Sequence, residues 1–277
     1  MKNIFNSILL MIIVLASCEE VVQLNLDSEE PVVIIEGMII DKNIYQYVKV
    51  TQSVNFYSNN SFSIIDNATV TVSDGTTTYN FIHNPGNEEN LNGYYFSENP
   101  FLGEVGKTYT LSVNVNGNTY TAVDELFPVT AIDSLTFDIN PDEFEDPQEP
   151  NHFYEILFYA HEPQDREDFY LFKFYRNDTL IRDEPNDIYF SNDDLLAEEI
   201  NGIEIAGYFQ VGDVGKVEMY SISNAGFVYY NDLINLLQSD GGMFGSPPVN
   251  TRTNITGGAL GFFQCSSVVS SSIEITN

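Results

Sequence analysis

"YTLSVNVNGNTYTAV", Tyr109 to Val123, decides the fold class. Tyr109, Leu111, Val113 and Val115 alternate with Thr110, Ser112 and Asn114. A period of two sends the apolar set to one face of a strand and the polar set to the other. Asn116 and Gly117 then supply residues that tolerate positive φ, as a two-residue hairpin turn demands. Working outward, similar runs read "VVIIEGMII" (32–40), "QYVKVTQSV" (46–54), "ATVTVSDG" (68–75), "TTYNFI" (77–82), "GYYFS" (93–97), "KTYTLSVNV" (107–115) and "NTYTAVDEL" (118–126). Seven short strands in roughly 100 residues predict an immunoglobulin-like or transthyretin-like β-sandwich over 31–128.

Phe127-Pro128 closes that set, and the chain resumes as a second β-rich domain, sandwich or barrel, over 129–277. Its acidic loop, 140–150, carries three prolines and five acids in "NPDEFEDPQEP". Aromatic strands follow in "HFYEILFYAHE", "DFYLFKFYRND" and "IEIAGYFQVG". In the second of these the aromatics point to both faces, which predicts a strand covered on both sides. One segment breaks the β pattern. Phe227, Tyr230, Ile234 and Leu237 fall at three- and four-residue spacings, with Ser223 or Asn224 as cap and Gly241-Gly242 as stop. That spacing predicts a helix near 224–239.

The chain starts "MKNIFNSILLMIIVLASCEE". A charged start, a short apolar run and small residues are the layout of a secretory signal, here residues 1–17. The run is shorter than the about 20 apolar residues a membrane span needs. Leu15-Ala16-Ser17-Cys18 resembles the lipobox of bacterial lipoproteins, which implies that Cys18 is the lipid attachment site and residues 18–30 a lipidated tether. Several acyl chains hold a protein stably where one does not. Lipidation would leave Cys265 without an intrachain partner, and its apolar neighbourhood predicts a buried core cysteine.

Forty-one acids against ten basic residues give a net charge of −31, which argues against nucleic acid and against adsorption to anionic lipid. Contact with a membrane must then come from the lipid.

Taken together, the lipobox, "VVIIEGMI", the close at Phe127-Pro128, "VEMYSISNAGFVYYNDL" and "GSPPVNTRTNITGGALGFF" resemble an uncharacterised family of Bacteroidota outer-membrane lipoproteins. The most specific part is Asn250 to Phe263. The resemblance implies an outer-membrane location with possible surface exposure, and a TonB-dependent receptor as neighbour and partner. It supplies no catalytic residues.

The sequence has no HExxH, GxSxG, P-loop, CxxC pair or EF-hand spacing. His152 and His161 are nine residues apart, on opposite faces of an unbroken strand, and His83 stands far from both in sequence. Two acidic groups, Asp142–Asp146 and Asn192–Asp194 with Glu198 and Glu199, offer oxygen ligands but lack the spacing and glycine turn of a calcium loop. Sugar stacking would fall to Tyr57, Tyr94 and Tyr95, since tryptophan is absent. The glycines of "DGGMFGSPPVN" and "ITGGALGFF" lack accompanying cations and read as shaped loops that permit close backbone approach. No catalytic, cofactor-binding or metal-binding residue is assigned. The expected function is a non-enzymatic binding or accessory subunit of a TonB-dependent uptake system. The alternatives are a surface adhesin or structural envelope protein, and a hydrolase pairing Asp193 or Asp194 with Glu198.

Overall fold

The hairpin forms as its pattern dictates. In the structure, a computed structural model that describes residues 30–54, 62–139, 150–181, 184, 186–193, 199–239 and 249–276, strand β7 (Thr108–Val115) pairs with β8 (Asn118–Glu125). Asn116 and Gly117 carry φ of 51° and 87° at the turn. Tyr109, Leu111, Val113 and Val115 all enter one apolar core.

The other early runs are also strands: β1 (Val33–Ile40), β2 (Tyr47–Gln52), β4 (Thr69–Ser73), β5 (Thr78–His83) and β6 (Tyr94–Ser97), with a short β3 (Ser63–Ile64) added on β2. They build a ten-stranded sheet in the order β16-β8-β7-β4-β5-β6-β2-β1-β17, where β16 is Ile255–Thr256 and β17 is Leu260–Ser266. Every pairing on this path is antiparallel except β1 with β17, which is parallel.

This sheet curls until its ends nearly meet, so it encloses its core as a barrel. Side chains stitch the seam between β8 and β17. Asn254 Nδ2 donates to Val123 O at 3.2 Å and to Phe263 O at 2.7 Å, while its Oδ1 accepts from Phe263 N–H at 3.0 Å. Cys265 N–H donates to Asp124 Oδ2 at 2.8 Å, and a parallel bridge joins Phe127 to Ser266.

Beyond Pro128 the chain changes sheet. Strands β9 (Ile132–Ile139), β10 (Tyr154–His161) and β14 (Glu199–Glu204) form one sheet; β11 (Phe169–Arg176), β12 (Thr179–Leu180), β13 (Tyr189–Asn192), β15 (Val214–Ser221) and β18 (Val268–Glu274) form another. Ile156 and Phe158 from the first meet Phe172, Val217 and Met219 from the second in a sandwich core. Strand β11 is covered on both faces as expected: Tyr170, Phe172 and Phe174 enter the sandwich core, Phe169 and Leu171 a separate cluster on the far side.

The chain is mainly β, as its patterning requires, but the segments 31–128 and 129–277 do not build separate sheets. Strands β16 and β17 return to the first sheet, and β18 follows directly in the second. Pro31–Asn277 accordingly forms a single unit. Local turn signals report hairpins; they carry no information on a parallel pairing over 220 residues of chain, such as Ile35 with Gly261.

The helix, α1 (Asn224–Leu237), starts where its cap predicts: the Ser223 hydroxyl accepts from Gly226 N–H. The expected Gly241-Gly242 stop, the acidic loop from 140 to 149, and the signal and tether containing Cys18 lie outside the described residues.

Candidate functional site

Three elements converge on one cavity. The alternation of β1 that sends Ile35 and Ile39 into the barrel turns Glu36 and Met38 outward, where Tyr47 of β2 and Phe262 and Gln264 of β17 join them. Facing this barrel wall is β11, whose Leu171 and Lys173 point away from the sandwich core. Helix α1 covers the gap with Tyr229, Tyr230, Leu233 and Leu237. The cavity, open to solvent on one side, measures about 530 Å³, within the about 300–1,000 Å³ range of small-molecule sites. A second cavity of about 710 Å³ opens beside it at the edge of the sandwich and shares Phe172, Phe174, Ile188 and Tyr189 with the first.

The walls are aromatic, and their polar groups divide into engaged and unengaged. Tyr230 Oη donates to Gln264 Oε1 at 2.6 Å, and Gln264 Nε2 donates to Ser266 Oγ at 2.7 Å. Glu36 is paired with Lys49 at 3.2 Å, and Asp187 Oδ2 accepts from Glu184 N–H at 2.8 Å. The Tyr47 and Tyr229 hydroxyls have no hydrogen-bond partner among the described residues, and burial pushes both phenols up to about 12. Both are neutral phenols at pH 7, able to donate a hydrogen bond to a ligand.

Among the described residues Lys173 stands apart from the other half-buried lysines. Lys49, Lys107, Arg166 and Lys216 each lie within 4 Å of a carboxylate. No carboxylate of the described residues lies that close to Lys173; its ammonium sits over the Tyr220 ring, 4.7 Å from the centroid. Burial lowers its pKa, and Glu218 on the neighbouring strand opposes that effect in part. Glu218 itself is occupied. Its Oε2 accepts from Tyr220 Oη at 2.7 Å and Tyr175 Oη at 2.9 Å, and Lys216 lies 3.4 Å from its Oε1. Burial pushes Glu218 up most, yet these donors together hold it below the ordinary carboxylate range.

A second constellation sits at the β10–β11 connection. Glu162 is fully buried, with Tyr170 Oη 2.9 Å from both of its oxygens and 3.1 Å from Asp168 Oδ2. Arg166 Nε donates to the same Asp168 oxygen at 2.6 Å. Burial, reinforced by the charges of Asp168 and Asp193, pushes Glu162 up against the opposing hydrogen bond from Tyr170. Neither Glu162 nor Asp168 lines either cavity, so the network reads as a buried clasp.

The residues singled out from sequence scatter. His83 Nε2 accepts from Gly93 N–H at 3.0 Å, His152 faces Asp213 at 3.6 Å, and His161 ends β10; the three are not brought together. Asp193 Oδ2 accepts from Asp168 N–H at 3.0 Å, while Asp194 and Glu198 lie outside the described residues. Among the described residues no group of three or more His, Cys, Asp or Glu could hold a metal ion. Tyr94 is partly exposed, but Tyr95 is buried because its hydroxyl is needed inside, donating to Ile65 O and accepting from Ala68 N–H. Cys265 is buried in the barrel core, and burial pushes its thiol well up, with the Asp124 charge adding to the effect. Lys173 was missed by motif reasoning. Its signal was a lone cation inside an aromatic strand, "FYLFKFYR".

A mainly β protein with a side-chain-sealed barrel, an attached sandwich and a cavity under the α-helix α1 is the class that this fold and site define. The chain belongs to the family described as domain of unknown function (DUF4249), whose match spans residues 19–272. No curated protein matches it.

Proposed function

We propose that this chain is a lipid-anchored outer-membrane lipoprotein that works by binding, as an accessory subunit of a TonB-dependent uptake system. The cavity between barrel, β11 and α1 carries the reading: it is roomy, aromatic, and lined by three donors that have no acceptor among the described residues. Such a concave apolar site with a few convergent polar groups is the usual form of a ligand pocket. The "LASC" stretch ending at Cys18 supports the anchor, since lipidation there would hold an acidic chain at a membrane that its charge does not favour. Described residues include no helix long and apolar enough to cross a membrane.

Two measurements test the reading. Cys18→Ser should abolish lipid labelling and move the protein out of the membrane fraction; a variant that still sediments with membranes removes the anchor from the proposal. Affinity purification of the wild-type protein from detergent-solubilised membranes should recover a TonB-dependent receptor, and its consistent absence would overturn the accessory role.

A further inference from the structure

We infer that the cavity takes an amphipathic organic anion, with its apolar body among the aromatic walls and its acidic head on Lys173. The inference rests on the reading of this cavity as a ligand site and adds the chemistry of the ligand. Lys173 is the feature that decides it. A cation in a mostly apolar wall is costly unless something compensates it, and here the described residues offer only the face of Tyr220 and the charge of Glu218, which Tyr175, Tyr220 and Lys216 already engage. Of the two carboxylates on the same cavity wall, Glu36 is paired with Lys49 and Asp187 accepts from the Glu184 N–H, and neither forms an ion pair with Lys173. The unengaged hydroxyls of Tyr47 and Tyr229 are donors as well. A cavity offering unmatched donors and a cation selects an acceptor that bears negative charge; a cationic ligand would meet Lys173 head on. The volume of about 530 Å³ admits an aromatic or branched apolar body and excludes a bare small ion as the best fit.

Anilinonaphthalene sulfonate and N-phenylnaphthylamine test this, since they share an apolar skeleton and differ in the sulfonate. Fluorescence titration of the purified protein should show the sulfonate probe bound at least about tenfold more tightly than the neutral one, the worth of one charge-assisted contact. Lys173→Met should weaken the sulfonate probe by about tenfold while leaving the neutral probe within about twofold. Lys173→Arg, which keeps the cation, should retain the preference, and Lys42→Met, which alters an exposed lysine outside the cavity, should change neither probe. Urea midpoints of each variant separate lost folding from lost binding, and the wild-type preference stands as a test even if Lys173→Met fails to fold. Equal binding of both probes by the wild type, or an unchanged sulfonate affinity in a folded Lys173→Met variant, overturns the anion assignment and leaves the cavity as a neutral site. Failure of both probes to bind removes the cavity itself as a ligand site, which is also a failure of the proposed function.

Discussion

Asp124 holds one edge of the barrel seam. Its carboxylate accepts from the Cys265 N–H, and the Ser223 hydroxyl and Glu125 N–H also support its charge. Burial nevertheless outweighs these donors and raises it from the usual carboxylate range to about 6. The sign of the consequence follows from proton counting. Between about pH 4 and 6 the folded chain keeps a proton that the unfolded chain has released, so this group's contribution to stability falls as pH rises through that window and is flat above it. A shift of this size corresponds to about 3 kcal/mol across the window. Replacing Asp124 with Asn should flatten that part of the profile; urea midpoints at pH 4 and pH 7 that differ as much in the variant as in the wild type would exclude the assignment. Lys173 shows the other kind of residue-level information. Its type and neighbours were visible in the sequence, but its isolation from carboxylates depends on where Glu218, Glu36 and Asp187 spend their own hydrogen bonds, and that is a property of the fold alone.

At the scale of the element, β17 carries the least expected geometry. Gly261 has φ of 96°, and a Cβ there would fall onto the Ile35 carbonyl oxygen of the parallel neighbour β1. Gly258, two positions before β17 begins, has φ of 85° but open space around its Cβ position. Gly258→Ala should therefore cost only the backbone strain, about 1 kcal/mol, and Gly261→Ala the strain plus the clash, about 2–4 kcal/mol. Chemical denaturation of the two variants should rank them in that order; equal losses would mean that β17 relaxes away from β1. The glycine-rich run was legible as a place of close backbone approach, whereas the strand that follows it was not. Strands β7 and β8 announce themselves because an alternating pattern flanks Asn116-Gly117, and β11 because its aromatics leave no polar face. By contrast, β9 is largely exposed and only Ile132, Leu135 and Phe137 among its residues pack on the sandwich core. Strand β17 is the opposite case: from Gly261 to Ser266 every residue is buried, so no alternation survives to mark it.

For the molecule as a whole, residues 260–274 make a single path through both halves. Leu260–Ser266 completes the barrel and Val268–Glu274 pairs with β15 in the second sheet. The crossing point is pinned on all sides: Ser267 N–H donates to Ser221 Oγ at 2.9 Å, Ser221 Oγ donates to Phe127 O at 2.6 Å, and Val268 N–H donates to Asp41 Oδ1 at 2.8 Å. A chain truncated after Arg252 loses the seam, β17 and β18 together. It should show no cooperative urea transition and no protease-resistant fragment spanning 31–128; a stable fragment of that span would establish the first sheet as an autonomous domain. The resemblance stated from sequence rested most heavily on Asn250–Phe263, which proves to be the seam: Thr253 and Asn254 bind Gly261 and Phe263, and Asn254 reaches across to Val123.

The position of that seam also sets an order of events. A chain delivered N-terminus first, from a ribosome or through a translocation channel, has no means of closing its first sheet until its last residues arrive, because β1 and β8 wait for partners encoded near the far end. Until those partners arrive, two bare strand edges face outward, which is where misassociation between chains begins and where a holding chaperone would have to act.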